Sequence, residues 1–267
     1  MSTEETLKDQ GIEVRTYFVR GRNAMVARAE LSELYAAMYL HQLDWGIRLE
    51  PAQDQLLRDG LAAMTLHCAS RPRGEVTAWT INFQDLKANV FINGDNRLGS
   101  VVGNVLTENV KDAPTNLFYA DSVPEGKPSR RSVIDFEGSD VLRAVEKFYS
   151  QSEQRPTRFF WHDEEDLVMI SAQPDCDIEW LEKLDQDVVR RIDQEETLSL
   201  LEQRYYRFEC GCNQDRMLSM LAPVMRSQPE ELFQGEQTIR VGCPRCGARH
   251  TVTREALEAH LNAAKKD

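Results

Sequence analysis

The sequence predicts an α+β fold: a mixed N-terminal domain, a charged helical linker and a small C-terminal zinc-binding domain. Three observations carry this. Residues 53–69 repeat their apolar side chains at helical spacing. Residues 75–136 are rich in strand patterns with no regular βαβ alternation. Four cysteines stand in two close pairs, Cys210-Gly-Cys212 and Cys243-Pro-Arg-Cys246, with 30 residues between them.

The first ten residues, MSTEETLKDQ, are polar and acidic. They read as disordered and unlike a signal or transit peptide. Val14–Val19 reads as a strand from its β-branched and aromatic content. Glu30–Leu40 is a helix candidate with Leu31, Leu34, Tyr35 and Met38 on one face. Gln53–Ala69 is a stronger one, through Leu56, Leu57, Leu61, Met64 and Leu66, and Ser70-Arg-Pro-Arg-Gly74 stops it. Glu75–Asn82 and Asn89–Asn93 read as strands, with a hairpin turn at Gly94-Asp95. Leu117–Tyr119 and Ser132–Phe136 are further strand candidates. Ser139 is a candidate N-cap for a helix over 140–150, with Val141, Leu142, Val145 and Phe148 as its stripe. Thr157–Trp161 and Leu167–Ser171 flank a polar hairpin tip, His162-Asp-Glu-Glu-Asp166.

Pro174 marks a boundary. Ile178, Leu181, Leu184, Val188 and Ile192 then recur at helical spacing among many charges. The expected division is therefore 1–175, an α+β domain; 176–208, a charged helical linker; and 209–267, a cysteine-bearing domain. In the last, 216–225 and 255–261 read as helices, 229–231 as a turn and Thr238–Val241 as a strand leading into the second cysteine pair.

Composition narrows the function. The 267 residues are 41% hydrophobic and 28% charged, ordinary for a folded domain pair. No apolar run approaches membrane-spanning length, so a cytoplasmic location is expected. There, paired cysteines more often bind metal or sense redox than form permanent disulfides. The net charge of −12 argues against general nucleic-acid binding. Residues 204–267 carry ten Lys/Arg against eight Asp/Glu. Arg240, Arg245, Arg249 and Arg254 thus leave open an alternative in which a structural zinc ribbon binds nucleic acid or protein without any switch.

Two close cysteine pairs can present four thiolates to one tetrahedral Zn²⁺. They can equally form two short-range disulfides, so the cluster reads as a structural metal site or as a redox sensor that loses metal on oxidation. Four thiolates close the coordination shell, which leaves no open position for catalysis. His250, four residues beyond Cys246, is a weaker ligand candidate. Cys68 and Cys176 each stand alone and read as packing residues. The tip 162–166 offers carboxylates to a divalent ion but reads first as a solvated turn. There is no phosphate-binding glycine loop and no nucleophile elbow, and a protein without catalysis is expected.

The CxC–CxxC pattern resembles that of the bacterial redox-regulated chaperone family called the 33 kDa chaperonin, or heat-shock protein of 33 kDa. So does its setting: Phe208-Glu precedes the first pair, and His250-Thr-Val252 follows the second. Tyr149-Ser-Gln-Ser152-Glu153-Gln154 is similar to the family's Tyr-x-x-Ser-Glu-Gln stretch. The family's Ala-Leu-Gly-Arg motif is not present, and the segment from Pro174 to Cys210 is shorter than usual. The resemblance implies an ATP-independent holdase. Reduced, it would bind one Zn²⁺ through Cys210, Cys212, Cys243 and Cys246 and be inactive. Oxidation would form the disulfides Cys210–Cys212 and Cys243–Cys246, eject zinc and unfold the linker. The active form would bind unfolded client proteins and tend to dimerise.

Overall fold

The computed structural model describes residues 11–263; the expectation of disorder over residues 1–10 lies outside them. Two antiparallel strands, β1 (Ile12–Val19) and β2 (Ala24–Glu30), lead into helices α1 (Ser32–Trp45) and α2 (Pro51–Ala69). Five strands follow: β3 (Val76–Phe83), β4 (Ala88–Asp95), β5 (Ser100–Leu106), β6 (Asn116–Val123) and β7 (Arg130–Phe136). After them come α3 (Val141–Gln151) and the hairpin β8 (Thr157–Asp163) and β9 (Asp166–Ala172). Three short helices come next: α4 (Ile178–Lys183), α5 (Gln186–Arg190) and α6 (Ile192–Glu195). Strand β10 (Leu198–Phe208) precedes the C-terminal unit of α7 (Gln214–Ser227), α8 (Pro229–Phe233), β11 (Thr238–Gly242), β12 (Arg249–Thr253) and α9 (Arg254–Ala263).

The large sheet has ten strands in the order β7-β6-β3-β4-β5-β10-β1-β2-β9-β8. Period-2 alternation divides its residues between two faces. On β9, Leu167 and Met169 enter the main core, whereas Val168, Ile170 and Ala172 enter a second one. The main core lies under α1, α2 and α3, with Trp79, Phe118 and Phe148 at its centre. The second core lies under α4–α6, through Leu181, Leu184, Val189 and Ile192. Above β4 and β5, the same outer face turns Asn93, Val102 and Asn104 toward the C-terminal unit.

Three expectations need correction. Gly94-Asp95 is not a turn. It continues β4, pairing with Val101 and Ser100, because the strand must pass close over α2: a Cβ on Gly94 would collide with the Cys68 sulfur. The cap of α3 is Asp140 rather than Ser139, its Oδ1 accepting from the Arg143 amide at 3.0 Å. The helical pattern after Pro174 is broken into three short helices, and from Leu198 the chain is strand. The run Leu198-Ser-Leu200-Leu201 opens β10, which pairs along β1 from Val19↔Leu198 to Ile12↔Tyr206. Tyr206 is buried and its hydroxyl donates to Asn96 Oδ1 at 2.8 Å. Strands β2, β5 and β12 had no distinct sequence signal. In β2 the run Ala24–Glu30 has three alanines among its seven residues, and these pack into the two cores without looking like a strand.

Candidate metal centre

The first cysteine pair begins where the sheet ends. β10 runs parallel to β5 for two residue pairs, Arg207↔Ser100 and Phe208↔Val101, and the Glu209 amide still donates to Val101 O at 3.1 Å. Cys210, Gly211 and Cys212 follow, with Gly211 in the left-handed region at φ 62°. Asn213 then caps α7, its Oδ1 accepting from the Arg216 amide at 2.9 Å. The CxC segment is thus pinned at one end by a strand and at the other by a helix start.

The second pair sits in the β11–β12 turn, beyond the Gly242↔Arg249 pair. The Cys243 amide donates to Ala248 O at 2.7 Å and the Gly247 amide to Cys243 O at 2.9 Å. Gly247 has φ 76°, and a Cβ there would press on Ile47 and Asn104, so a side chain would meet both backbone strain and crowding.

All four sulfurs lie within 4.8 Å of one another. Cys210 Sγ is 3.6 Å from Cys243 Sγ, and Cys212 Sγ is 3.5 Å from Cys246 Sγ. A tetrahedral ion with Zn–S bonds of about 2.3 Å requires edges of about 3.8 Å. The donor set therefore fits a thiophilic four-coordinate ion. The thiols also hold one another's protons unevenly. Hydrogen bonds from the Cys210 and Cys246 thiols, together with the Cys246 and Arg245 amides, pull the Cys243 thiol far below its usual range. Cys210, as the donor to Cys243, is pushed up to about 12. Cys246 is pushed up in the same way, by Cys210 and Cys243. A cluster this tight carries one thiolate comfortably; shedding all four protons calls for a cation at its centre.

The centre is seated on the sheet. Cys243, Cys246 and Ala248 form one buried apolar cluster with Val102, and Phe208 packs against it. His41 Nε2 lies 3.1 Å from Cys246 O, and the His41 and Phe208 rings are 5.4 Å apart. Trp45 stands 5.1 Å from the His250 ring. The C-terminal unit also has a small core of its own: Met217, Leu218, Met225, Phe233, Val252 and Leu257.

Sequence reasoning placed the four cysteines but missed this seat. Its one legible trace is Asn93, a polar residue in the otherwise apolar NVFIN run. His250 is outside the gathered sulfurs, with Nε2 3.4 Å from Cys212 Sγ, where it can serve as a hydrogen-bond partner. Cys68 is fully buried and its thiol is pushed up by burial; Cys176 is half-buried and raised for the same reason. Neither joins the cluster. At the acidic tip, Arg28 Nε donates to Asp166 at 2.9 Å and Arg58 pairs with Glu165 at 3.0 Å. Among the described residues the only metal-like group is the four cysteines. The basic face weakens too. Arg245 turns inward, and Arg254 pairs with Glu230 at 3.1 Å over the Phe233 ring. No helix of the described residues is long and apolar enough to cross a membrane.

Comparison with known proteins bears on the same region. The family model described as Hsp33 protein matches residues 162–253, from the end of β8 through β12 and so across all four cysteines. Over part of its length the chain is similar to the 33 kDa chaperonins. The 33 kDa chaperonin of Photobacterium profundum is 26% identical over 163 residues, 51% of this chain and 56% of that protein. The one from Edwardsiella ictaluri is 27% identical over 162 residues, 51% and 55% of the two chains. That of Caldanaerobacter subterraneus is 32% identical over 83 residues, 31% and 28%. The chain thus matches little more than half the length of the first two. The crystal structure of a 33 kDa chaperonin from Thermotoga maritima superposes with a TM-score of 0.72 at 14% identity, covering 96% of this chain and all of that one. At that identity the likeness speaks for the fold alone, and it covers the N-terminal strands as well as the C-terminal unit.

Proposed function

We propose that this protein is an ATP-independent, redox-controlled holdase, with no catalytic centre, whose resting state holds one Zn²⁺ on Cys210, Cys212, Cys243 and Cys246. The observation that carries the reading is the gathering of four sulfurs on an apolar floor at the seam of the sheet. Bound metal supplies the positive charge that lets all four thiols ionise together. The residues of the chain do the rest: the two backbone turns present the sulfurs, and His250 and the knuckle amides stabilise thiolate charge.

Oxidation opposes that arrangement. The shortest sulfur contacts run between the pairs, Cys210 to Cys243 and Cys212 to Cys246. Disulfides within the pairs, Cys210–Cys212 and Cys243–Cys246, need S–S bonds of about 2.05 Å and dismantle the cross-pair set. Forming each disulfide passes two electrons from its two thiolates to one hydroperoxide, which takes up two protons and leaves as water and the corresponding hydroxyl compound. The C-terminal unit, residues 209–267 in this reading, then loses the metal that closes it.

Two elements are poised to loosen. One is that unit. The other is the set α4–α6, helices of six, five and four residues that are too short to stand without their packing on the sheet. Strand β10 stays in the sheet. Release of either element uncovers apolar surface for unfolded clients, and the net charge of −12 keeps such a form soluble. A cytoplasmic setting and a dimeric oxidised form belong to the same reading.

The test is zinc content and thiol count before and after peroxide at raised temperature, beside aggregation of a heat-unfolded client. Loss of one zinc and four thiols with gained protection is expected. Retained zinc, or release without protection, would reject the switch.

A further inference from the structure

Beside the second cysteine pair, the body and the C-terminal unit enclose a cleft of about 470 Å³. Its walls come from the α1–α2 turn and the start of α2, from residues 104–108 at the end of β5, and from the knuckle with its flanks. The metal centre accounts for Cys243 on its edge. It leaves three polar side chains of the lining without a task.

Two of them are arginines. Arg48 reaches the cleft from the body, and Arg249, at the start of β12, reaches it from the C-terminal unit. Both are exposed, and among the described residues neither guanidinium has an ion-pair or hydrogen-bond partner. Their neighbours differ. Arg245 donates to Cys210 O at 3.3 Å and to Asn93 Oδ1, and Arg254 pairs with Glu230. Glu108, the acidic residue of the lining, is exposed and pairs with neither Arg48 nor Arg249. Two like charges that share a cavity repel one another. An anion between them replaces that repulsion with charge-assisted hydrogen bonds.

The third side chain is Asn104, on the floor of the cleft. It is 8% exposed, and its amide has no hydrogen-bond partner among the described residues. A buried amide calls for one. Its Oδ1 lies 3.1 Å from where a Cβ on Gly247 would stand, so the glycine is what lets the knuckle approach it. Behind Asn104 a recess of about 10 Å³ is lined by Gln42, whose Nε2 is buried and also without a partner. The floor is thus rich in unused donors, while Ile47, Leu49 and Pro244 give the walls an apolar side. Three separate donor groups match the three terminal oxygens of a phosphate monoester, one more oxygen than a carboxylate offers. An organic body attached to that phosphate has the apolar wall to lie on.

We propose that this cleft is a binding site for a small organic phosphate, with Arg48, Arg249 and Asn104 on the phosphoryl oxygens. Arg48 belongs to the body and Arg249 to the cysteine unit, so the bound ligand fastens one to the other. Ligand and metal then favour the same docked arrangement, and each strengthens the binding of the other. That coupling rests on the metal reading above, whereas the site itself does not, and neither needs a redox step.

The test titrates phenyl phosphate, and separately inorganic phosphate, into the full reduced chain loaded with zinc at fixed ionic strength. Binding is followed by NMR through the side-chain amide of Asn104 and the backbone amide of Gly247, and saturable shifts are expected at both. Arg48→Ala and Arg249→Ala change exposed side chains, and each should weaken phenyl phosphate binding by about tenfold or more. Arg48→Lys, which keeps the charge but not the fork, should fall between wild type and Arg48→Ala. Arg240→Ala removes an exposed charge outside the cleft and should leave the affinity unchanged. Phenyl phosphate should bind more tightly than inorganic phosphate, and removal of zinc should weaken it by about tenfold.

Absence of saturable shifts, or an equal loss in Arg240→Ala, would overturn the site. Phenyl phosphate that binds no more tightly than inorganic phosphate would overturn the organic body of the ligand. Unaltered affinity after zinc removal would overturn the coupling. A chain that binds phenyl phosphate at Asn104 but never holds zinc would instead reject the metal reading and leave the site standing.

Discussion

The body of this protein and its C-terminal unit are stabilised by different means. The body buries Trp79, Phe83, Phe118, Tyr35 and Tyr149 almost completely under a ten-stranded sheet. The C-terminal unit has one two-stranded sheet, a core cluster of six buried apolar side chains and the four sulfurs. Burial at about 25 cal/mol per Å² suffices for the first; so small a core does not suffice for the second. On the proposed reading, metal and redox state act on one region while the other persists, and four predictions test that contrast.

The largest effect is expected from the sulfurs. Structural zinc contributes roughly 10–16 kcal/mol in small units of this kind. Cys246→Ser, or a strong chelator, should therefore abolish tight metal binding and the unfolding transition of the C-terminal unit, seen by calorimetry, while the main transition remains. A single transition lost as a whole would show that the two regions are not separable.

The converse comes next. Phe118 stacks on Phe148 with centroids 5.1 Å apart, far from the cysteines. Phe118→Ala should destabilise the body by about 3–5 kcal/mol and leave metal stoichiometry unchanged at temperatures where the body is folded. Weakened metal binding under those conditions would break the contrast from the other side.

A smaller effect concerns pH and belongs to the body alone. Burial on α2 raises Asp59 from 3.8 to about 6, with Asp140 adding to the rise and the Gln55 amide opposing it. The folded chain thus holds this proton more tightly than the unfolded one. Its stabilising contribution is fully present below 3.8 and lost as pH rises through about 6. Asp59→Asn should stabilise the body near neutrality by about 1–3 kcal/mol and flatten denaturant midpoints across that window. An unchanged pH profile would exclude Asp59 as its source.

The smallest tests the short helices. Asp185 caps α5, its Oδ1 accepting from the Val188 amide at 2.8 Å. Asp185→Ala should cost about 1 kcal/mol and raise proteolytic nicking within 178–195 ahead of the sheet. Equal protection would place those helices with the rigid body.

These contrasts also explain what could be read from sequence. The cysteine spacing pointed to one cluster because ligand geometry leaves little freedom, and the four sulfurs do lie within 4.8 Å of one another. Helix α2 was legible because its apolar repeat is dense. Strand β10 was not: its charged stretch from Glu202 to Arg207 hides a central strand whose partners, β1 and β5, lie far away in the chain. Gly94 misled because a glycine that makes room for Cys68 looks the same as one that makes a turn. Asn93 and Arg245 are 152 positions apart, and no local pattern joins them.

The central claim is that metal holds the C-terminal unit and that the large sheet persists without it. Hydrogen exchange, followed by mass spectrometry on the reduced chain with zinc and after its removal, tests this most directly. Amides of residues 209–263 should lose protection on removal, while those of β10 at 198–208 and of β3 and β4 keep theirs. Protection lost through β10, or unchanged in the cysteine unit, would contradict the account.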